Sequence, residues 1–195
     1  MKPFKRRKRG GLYAVFEENE ARMIVNLVGQ VVELLADRTT PEESSPDPLA
    51  AMVGMSGPIM PPEDPVLQRL LPDAYRDDPE EAMEFRRLSE RSLSSAKMMN
   101  AELVMGSLQE GGLDIDRVET DTQSARIEVE LNDIEVQAWL RSLTDVRLAV
   151  AVRLGINDEE DLMLLAQSDD EAISTMVDVY EWLGYVQETL VSALD

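Results

Sequence analysis

The chain has 195 residues, 44% hydrophobic and 30% charged, enough apolar content to bury a core and too much for general disorder. Aromatic residues make up only 5%, so Leu, Val, Ile, Ala and Met must fill the interior, which suits helices better than a β-sandwich. Cysteine and histidine are both absent, which excludes disulfides, thiol chemistry, zinc sites and any catalytic triad that needs an imidazole.

The net charge of −20 is unevenly spread. Six of the 19 Lys and Arg residues lie in the first nine positions, leaving 13 to face 39 Asp and Glu. So acidic a body repels phosphate backbones and argues against nucleic-acid binding by the folded part. It would suit a basic partner surface, and it also confers solubility.

Residues 1–11 read as a basic flexible tail ending in Gly10-Gly11. The tail is similar to the start of a signal peptide, but Glu17 and Glu18 follow after a short apolar run, so secretion is not expected. No apolar stretch approaches the roughly 18 residues of a membrane span, which points to the cytoplasm. Leu12 to Phe16 is a short β-capable run. From Glu17 to Asp37, Ile24, Leu27, Val28, Val31, Leu34 and Leu35 recur on one face, with Asn26, Gln30, Glu33 and Asp37 opposite. That spacing predicts an amphipathic helix.

Residues 39–65 hold seven of the ten prolines, with Met52, Met55, Ile59 and Met60 among them, and predict a connection no helix can cross. Val66 to Leu71 reads as one helical turn stopped by Pro72. Asp78-Pro79 then caps a helix that runs to about Glu110, with Phe85, Leu88, Ala96, Met99 and Leu103 expected inward and Gly111-Gly112 ending it. After a polar loop at 113–124, Arg126 to Leu131 alternates as a strand, expected to pair with Leu12 to Phe16. Asn132 with Glu135 forms a capping box for a helix carrying Trp139, Leu143, Val146 and Val150 inward and ending near Gly155. Asn157 with Glu160 caps a short helix through Gln167, and Ser168 with Glu171 caps the last one. Its stripe is Ile173, Met176, Val177, Tyr180, Leu183 and Leu190. The predicted fold is mainly α. It is a single domain over residues 12–195, a bundle of about five helices with a two-stranded β element at 12–16 and 126–131.

Little catalytic chemistry survives this inventory. Phosphate-binding glycine motifs are absent, since the two Gly-Gly pairs are isolated. Ser94-Ser95-Ala96-Lys97 matches S-x-x-K but lacks its companion segments, and reads as a polar face with a solvated lysine. Asp114, Asp116, Glu119 and Asp121 lack the glycine and twelfth-position Glu of a calcium loop. No cofactor and no metal site is expected. Lys5, Arg6, Arg7, Lys8 and Arg9 could contact phosphates, although no aromatics beyond Phe4 are interleaved for base stacking. Arg86, Arg87, Arg141, Arg147 and Arg153 stand beside apolar stripes. Arg147 and Arg153 read as structural ion pairs with carboxylates that set helix register.

Several segments carry a resemblance: RLLPDAY (Arg69 to Tyr75), EFRR (Glu84 to Arg87), and Lys97 with Asn100-Ala101. WLRSLTDVRLAVAVRLGI (Trp139 to Ile156) and VYEWLGYVQETL (Val179 to Leu190) follow in the same order. Together they resemble the AosR-like family of small acidic actinobacterial proteins, a domain of unknown function typically encoded beside the ClpS protease adaptor. The resemblance implies a cytosolic regulator of the oxidative-stress response that contacts an alternative sigma factor. Thiol sensing cannot accompany it, because the chain has no cysteine.

The leading expectation is therefore a non-enzymatic regulator or adaptor that binds a protein, with Asp73, Tyr75, Arg86 and Arg87 as exposed contacts. A second reading is a nucleic-acid-associated regulator using the basic tail. A third is an enzyme with an unrecognised carboxylate site. A homodimer through the helical half is compatible with the first.

Overall fold

A computed structural model describes residues 1–8, 10–39, 60–75, 77–115 and 125–195. In chain order the elements are β1 (Lys2–Arg6), β2 (Leu12–Glu17), α1 (Glu18–Thr39), α2 (Pro65–Leu70), α3 (Pro79–Glu110), β3 (Arg126–Leu131), α4 (Asp133–Leu154), α5 (Glu159–Leu165) and α6 (Glu171–Ser192). The fold is mainly helical, with a small antiparallel sheet in the order β1-β2-β3.

β2 and β3 pair without a break from Leu12↔Leu131 to Glu17↔Arg126. Alternation puts Leu12, Ala14 and Phe16 on the same buried face as Ile127, Val129 and Leu131. The sheet has three strands rather than the expected two, because part of the basic start is not a free tail. β1 pairs along β2 through Lys2↔Val15, Lys5↔Tyr13 and Arg6↔Leu12. One side chain explains the docking: Phe4 is 4% exposed and its ring meets Phe16 and Trp139 at 6.0 and 5.6 Å. Basic residues and a proline on an edge strand are what such edges commonly carry, so local composition disguised the strand. Gly11 must be glycine in the turn that follows. Its φ is +75°, and a Cβ there would lie 2.5 Å from the Leu131 carbonyl oxygen.

Three helices of 22 residues pack with the 32-residue α3 around this sheet. α1 buries Ala21, Ile24, Val28, Val31 and Leu35, close to the predicted stripe. α4 lies centrally, against α3, α6, α2 and α1. Its start is the capping box foreseen: the Asn132 side chain accepts from the Glu135 amide at 3.1 Å, and the Glu135 carboxylate accepts from the Asn132 amide at 2.7 Å. Gly155 ends it in the left-handed region at φ 74°. Trp139 is the centre of the core, stacked on Phe16 at 5.7 Å with its indole N–H donated to the Ser107 hydroxyl at 2.9 Å.

Two expectations about helix packing are corrected. α5 is capped by Asp158 rather than Asn157, buries no residue, and leaves Met163 and Leu164 exposed. This short helix packs against α6 without adding a buried residue to the core. α6 is capped by Asp170 rather than Ser168, and buries Val177, Leu183, Val186 and Leu190, while Met176 is partly exposed.

The larger correction concerns α3. Phe85, Leu88, Ala96 and Met99, expected inward, are exposed, and Leu103 is half-buried. The opposite face is buried instead, and for three turns it is polar: Arg86, Glu90 and Ser94, before Ala101, Val104 and Leu108 restore an apolar interior. The first half of α3 is thus inside out with respect to hydrophobicity.

Candidate protein-interaction surface

α2 and the inverted half of α3 each open on an Asp cap. Asp64 accepts from the Val66 amide at 2.7 Å and Asp78 from the Glu80 and Glu81 amides at 3.1 Å, each followed by proline in the first turn of its helix. Arg86 then clamps the connection between the two helices. Its Nη2 donates to the Leu71 carbonyl at 3.1 Å and to Asp73 at 2.6 Å, while Nη1 donates to Glu90. Glu90, with its side chain 2% exposed, also accepts from Arg38 Nε of α1 at 2.8 Å. Burial works against the Arg86 charge, but Asp73 and Glu90 outweigh it and hold the guanidinium more firmly protonated than in free arginine. An Asp73–Arg86–Glu90–Arg38 chain therefore ties the end of α1, the 71–73 connection and α3 together.

Of the four expected contacts, Arg86 is corrected: it is 5% exposed and spent on its own chain. Its place in a polar network, rather than on the surface, follows from partners the local pattern cannot show. Asp73 is partly exposed and paired with Arg86. Arg87 forms an ion pair with Glu84 at 2.6 Å, which holds the Glu84 carboxyl below its ordinary range. Tyr75 and Phe85 are about half exposed and meet edge-to-face at 6.0 Å. Leu88, one turn along α3 from Phe85, is 62% exposed. The corner thus shows solvent an aromatic pair rimmed by an ion pair, a composition of protein-binding surfaces.

The basic residues do not assemble into a comparable site. Lys5 and Lys8 are exposed, Arg6 donates to the Leu194 carbonyl, and Arg7 pairs with Glu130. Arg9 lies outside the described residues, as do the 40–59 segment with Met52, Met55 and Ile59, and Asp116, Glu119 and Asp121. Among the described residues no cluster of Asp and Glu could hold a metal ion. No helix among them is long and apolar enough to cross a membrane.

The model of a family described as "Domain of unknown function (DUF2017)" matches residues 1–194. The chain belongs to the DUF2017 family. A relative from Mycobacterium leprae (strain TN), named "Putative oxidative stress regulator AosR", is 31% identical over 196 residues, covering 93% of this chain and 81% of the relative. Proteins named "Oxidative stress regulator AosR" from Mycobacterium bovis and Mycobacterium tuberculosis are 31% identical over 191 residues, covering 90% of this chain and 78% of theirs. No solved structure matches the chain.

The segments that carried the resemblance to this DUF2017 chain's relatives turn out to be joined in space. RLLPDAY meets EFRR through Arg86, which holds Leu71 and Asp73. Lys97 reaches the Trp139–Ile156 segment by an ion pair with Asp145 at 2.6 Å, so it is not the solvated lysine expected of the S-x-x-K match. That segment meets Val179–Leu190 through Arg147, which donates to Gln187 at 2.8 Å and lies over the Tyr180 ring at 5.1 Å. Gln187 in turn donates to Thr144 at 2.8 Å. Arg147 was expected to pair with a carboxylate; its partners here are an amide and an aromatic ring, which fix register without burying a second charge. Arg153 does meet a carboxylate, Asp64, at 2.7 Å. Burial alone would raise the Asp64 pKa, but Arg153 and the Val66 and Leu67 amides together lower it.

Asp145 titrates in the opposite direction. Burial pushes its carboxyl above the ordinary range, and Lys97 recovers only part of that shift. The native chain then holds this proton to higher pH than the unfolded chain does. Asp145 contributes stability below its unfolded pKa of about 4, and that contribution is lost as pH rises through the raised native value. Asp145→Asn cannot ionise and should lack this decline. Urea unfolding of both proteins at intervals from about pH 4 to pH 7 should show wild type losing stability relative to the variant as pH rises. A difference that stays flat across the series would contradict the burial penalty.

Proposed function

We propose that this chain is a non-enzymatic cytoplasmic regulator of the oxidative-stress response that works by binding a protein of the transcription machinery, with an alternative sigma factor as the partner. The relatives' names support the regulatory part. The inventory supports binding over catalysis, since histidine and cysteine, much used for acid–base and nucleophilic work, are missing. The observation that carries the proposal is the Tyr75–Phe85 pair: two half-exposed aromatic rings packed edge-to-face, on two segments that Arg86 joins through Asp73. Rings kept in water by a rigid support gain more on docking than mobile ones, because their conformational entropy is already lost. The acidic body favours a basic partner surface around that aromatic contact.

The test is direct binding of the purified chain to the purified alternative sigma factors and core RNA polymerase of its host by biolayer interferometry. One of them should bind with Kd in the micromolar range or tighter. Replacing Tyr75→Ala together with Phe85→Ala should weaken it at least about tenfold, the loss expected for an aromatic hot spot, without changing the thermal unfolding midpoint. Failure of every transcription component to bind, or full affinity in the double variant, would refute the proposal.

A further inference from the structure

We infer that the outward face of α3 is a homodimer contact, occupied by the same face of a second copy running antiparallel across a two-fold axis. Inverted amphipathicity comes first. Leu88 and Met99 are both 62% exposed on a helix whose buried side carries Arg86, Glu90 and Ser94, with Lys97 turned inward to Asp145 of α4. Burying polar side chains while leaving two large apolar ones in water is unfavourable in an isolated chain. Another surface covering the outer face removes the second half of that cost.

Charge says which surface. The chain carries 39 acidic residues and a net charge of −20, so two copies repel over most of their surface. From Arg91 to Ala101, however, α3 contains no Asp or Glu at all. The exposed positions of that stretch are Ser92, Ser95, Ala96 and Met99 at its centre, with Arg91 and Leu93 at its flanks; Arg91 is the one charged residue among them. Lys97 points the other way, into its ion pair. A foreign basic partner would be drawn to the acidic remainder of the molecule. A second acidic copy is repelled least where neither surface carries a carboxylate.

The pattern is also self-complementary. About a midpoint between Leu93 and Ser94, Leu88 is the mirror position of Met99, Ser92 that of Ser95, and Ala96 that of Arg91 at the flank. A two-fold antiparallel contact pairs just these positions, large with large at the ends and small with small in the middle. Small side chains where two helices cross allow close approach, and the larger ones on either side fill the space as the axes diverge. The contact leaves the Tyr75–Phe85 corner at each end of the dimer, so it goes beyond the proposed partner binding and does not depend on it.

Because the chain has no cysteine, introduced ones report cleanly. In a mixture of Leu88→Cys and Met99→Cys chains, mild oxidation should give a covalent dimer of twice 21.9 kDa. Neither variant alone should do so, since equal positions then lie about 16 Å apart, 11 residues along the helix axis, beyond disulfide reach. Sedimentation equilibrium should find wild type dimeric at about 100 μM and Met99→Glu monomeric at a concentration at least tenfold higher than the wild-type dissociation constant, with an unchanged circular dichroism spectrum. The Met99→Glu protein should still bind the transcription partner. A monomeric wild type, a dimer indifferent to Met99→Glu, or Leu88→Cys chains that cross-link to themselves would each overturn the assignment. Loss of partner binding in Met99→Glu from a monomeric wild type would show that a foreign protein covers this face.

Discussion

Arg86→Ala should lower the stability of the fold by about 3–5 kcal/mol, the cost of breaking a buried ion pair from one side. For a chain of this length that corresponds to a fall of about 6–20 °C in the thermal midpoint. Arg86 is the donor to three groups at once, the Leu71 carbonyl, Asp73 and Glu90. Asp73 can turn to water, but Glu90 cannot, with a side chain 2% exposed and only Arg38 left beside it. The loss is therefore one of an uncompensated buried carboxylate more than of packing volume. Adding Glu90→Leu to an Arg86→Met background should accordingly recover most of the stability, since matched apolar replacements of buried pairs are often neutral. Guanidinium unfolding of the single and double variants reads this out. A loss below about 1 kcal/mol for Arg86→Ala, typical of exposed pairs, would mean that water reaches the network and that it does not support the aromatic corner.

Trp139→Ala should cost a comparable 3–5 kcal/mol, in the range for deleting a large buried aromatic. Trp139 has no exposed surface and touches all the layers of the protein. It stacks on Phe16 of β2, meets Phe4 of β1 edge-on, and donates its indole N–H to Ser107 of α3. Trp139→Phe keeps most of the ring contact. The Ser107 hydroxyl still donates to the Val104 carbonyl at 2.8 Å, so no buried donor is stranded and the cost should stay near 1 kcal/mol. Equilibrium unfolding of the two variants should separate them by about 2 kcal/mol or more. Equal losses would place the stabilisation in the indole hydrogen bond rather than in the aromatic cluster. The Ala variant should also release β1, whose single buried side chain is Phe4, and amide exchange over residues 2–6 would then rise.

Some of this protein was legible from the residues alone, because the signals concerned are local. The Asn132–Glu135 box, the Asp78-Pro79 start and Gly155 are complete within four residues of a helix end. The α1 stripe and the alternation at 126–131 repeat with the period of their own element. Strand pairing of 12–16 with 126–131 followed by elimination in an otherwise helical chain. The absence of histidine and cysteine chemistry needed no structure at all.

What only the tertiary structure decided are the features whose partners are distant along the chain. For the first half of α3 the apolar set Phe85, Leu88, Ala96 and Met99 made one face look interior. The opposite set could be buried only because Asp73, 13 residues before Arg86, and Arg38, 52 residues before Glu90, arrive to neutralise it. β1 was hidden for the same reason: one phenylalanine among basic residues carries little period, and its pocket is made by Phe16 and Trp139. Of the candidate contacts, Tyr75 reached the surface as expected, and Phe85 joined it from a position assigned to the core. A periodic pattern states that a helix has two faces; which of them is buried is set by the charges and rings that the rest of the chain brings to it.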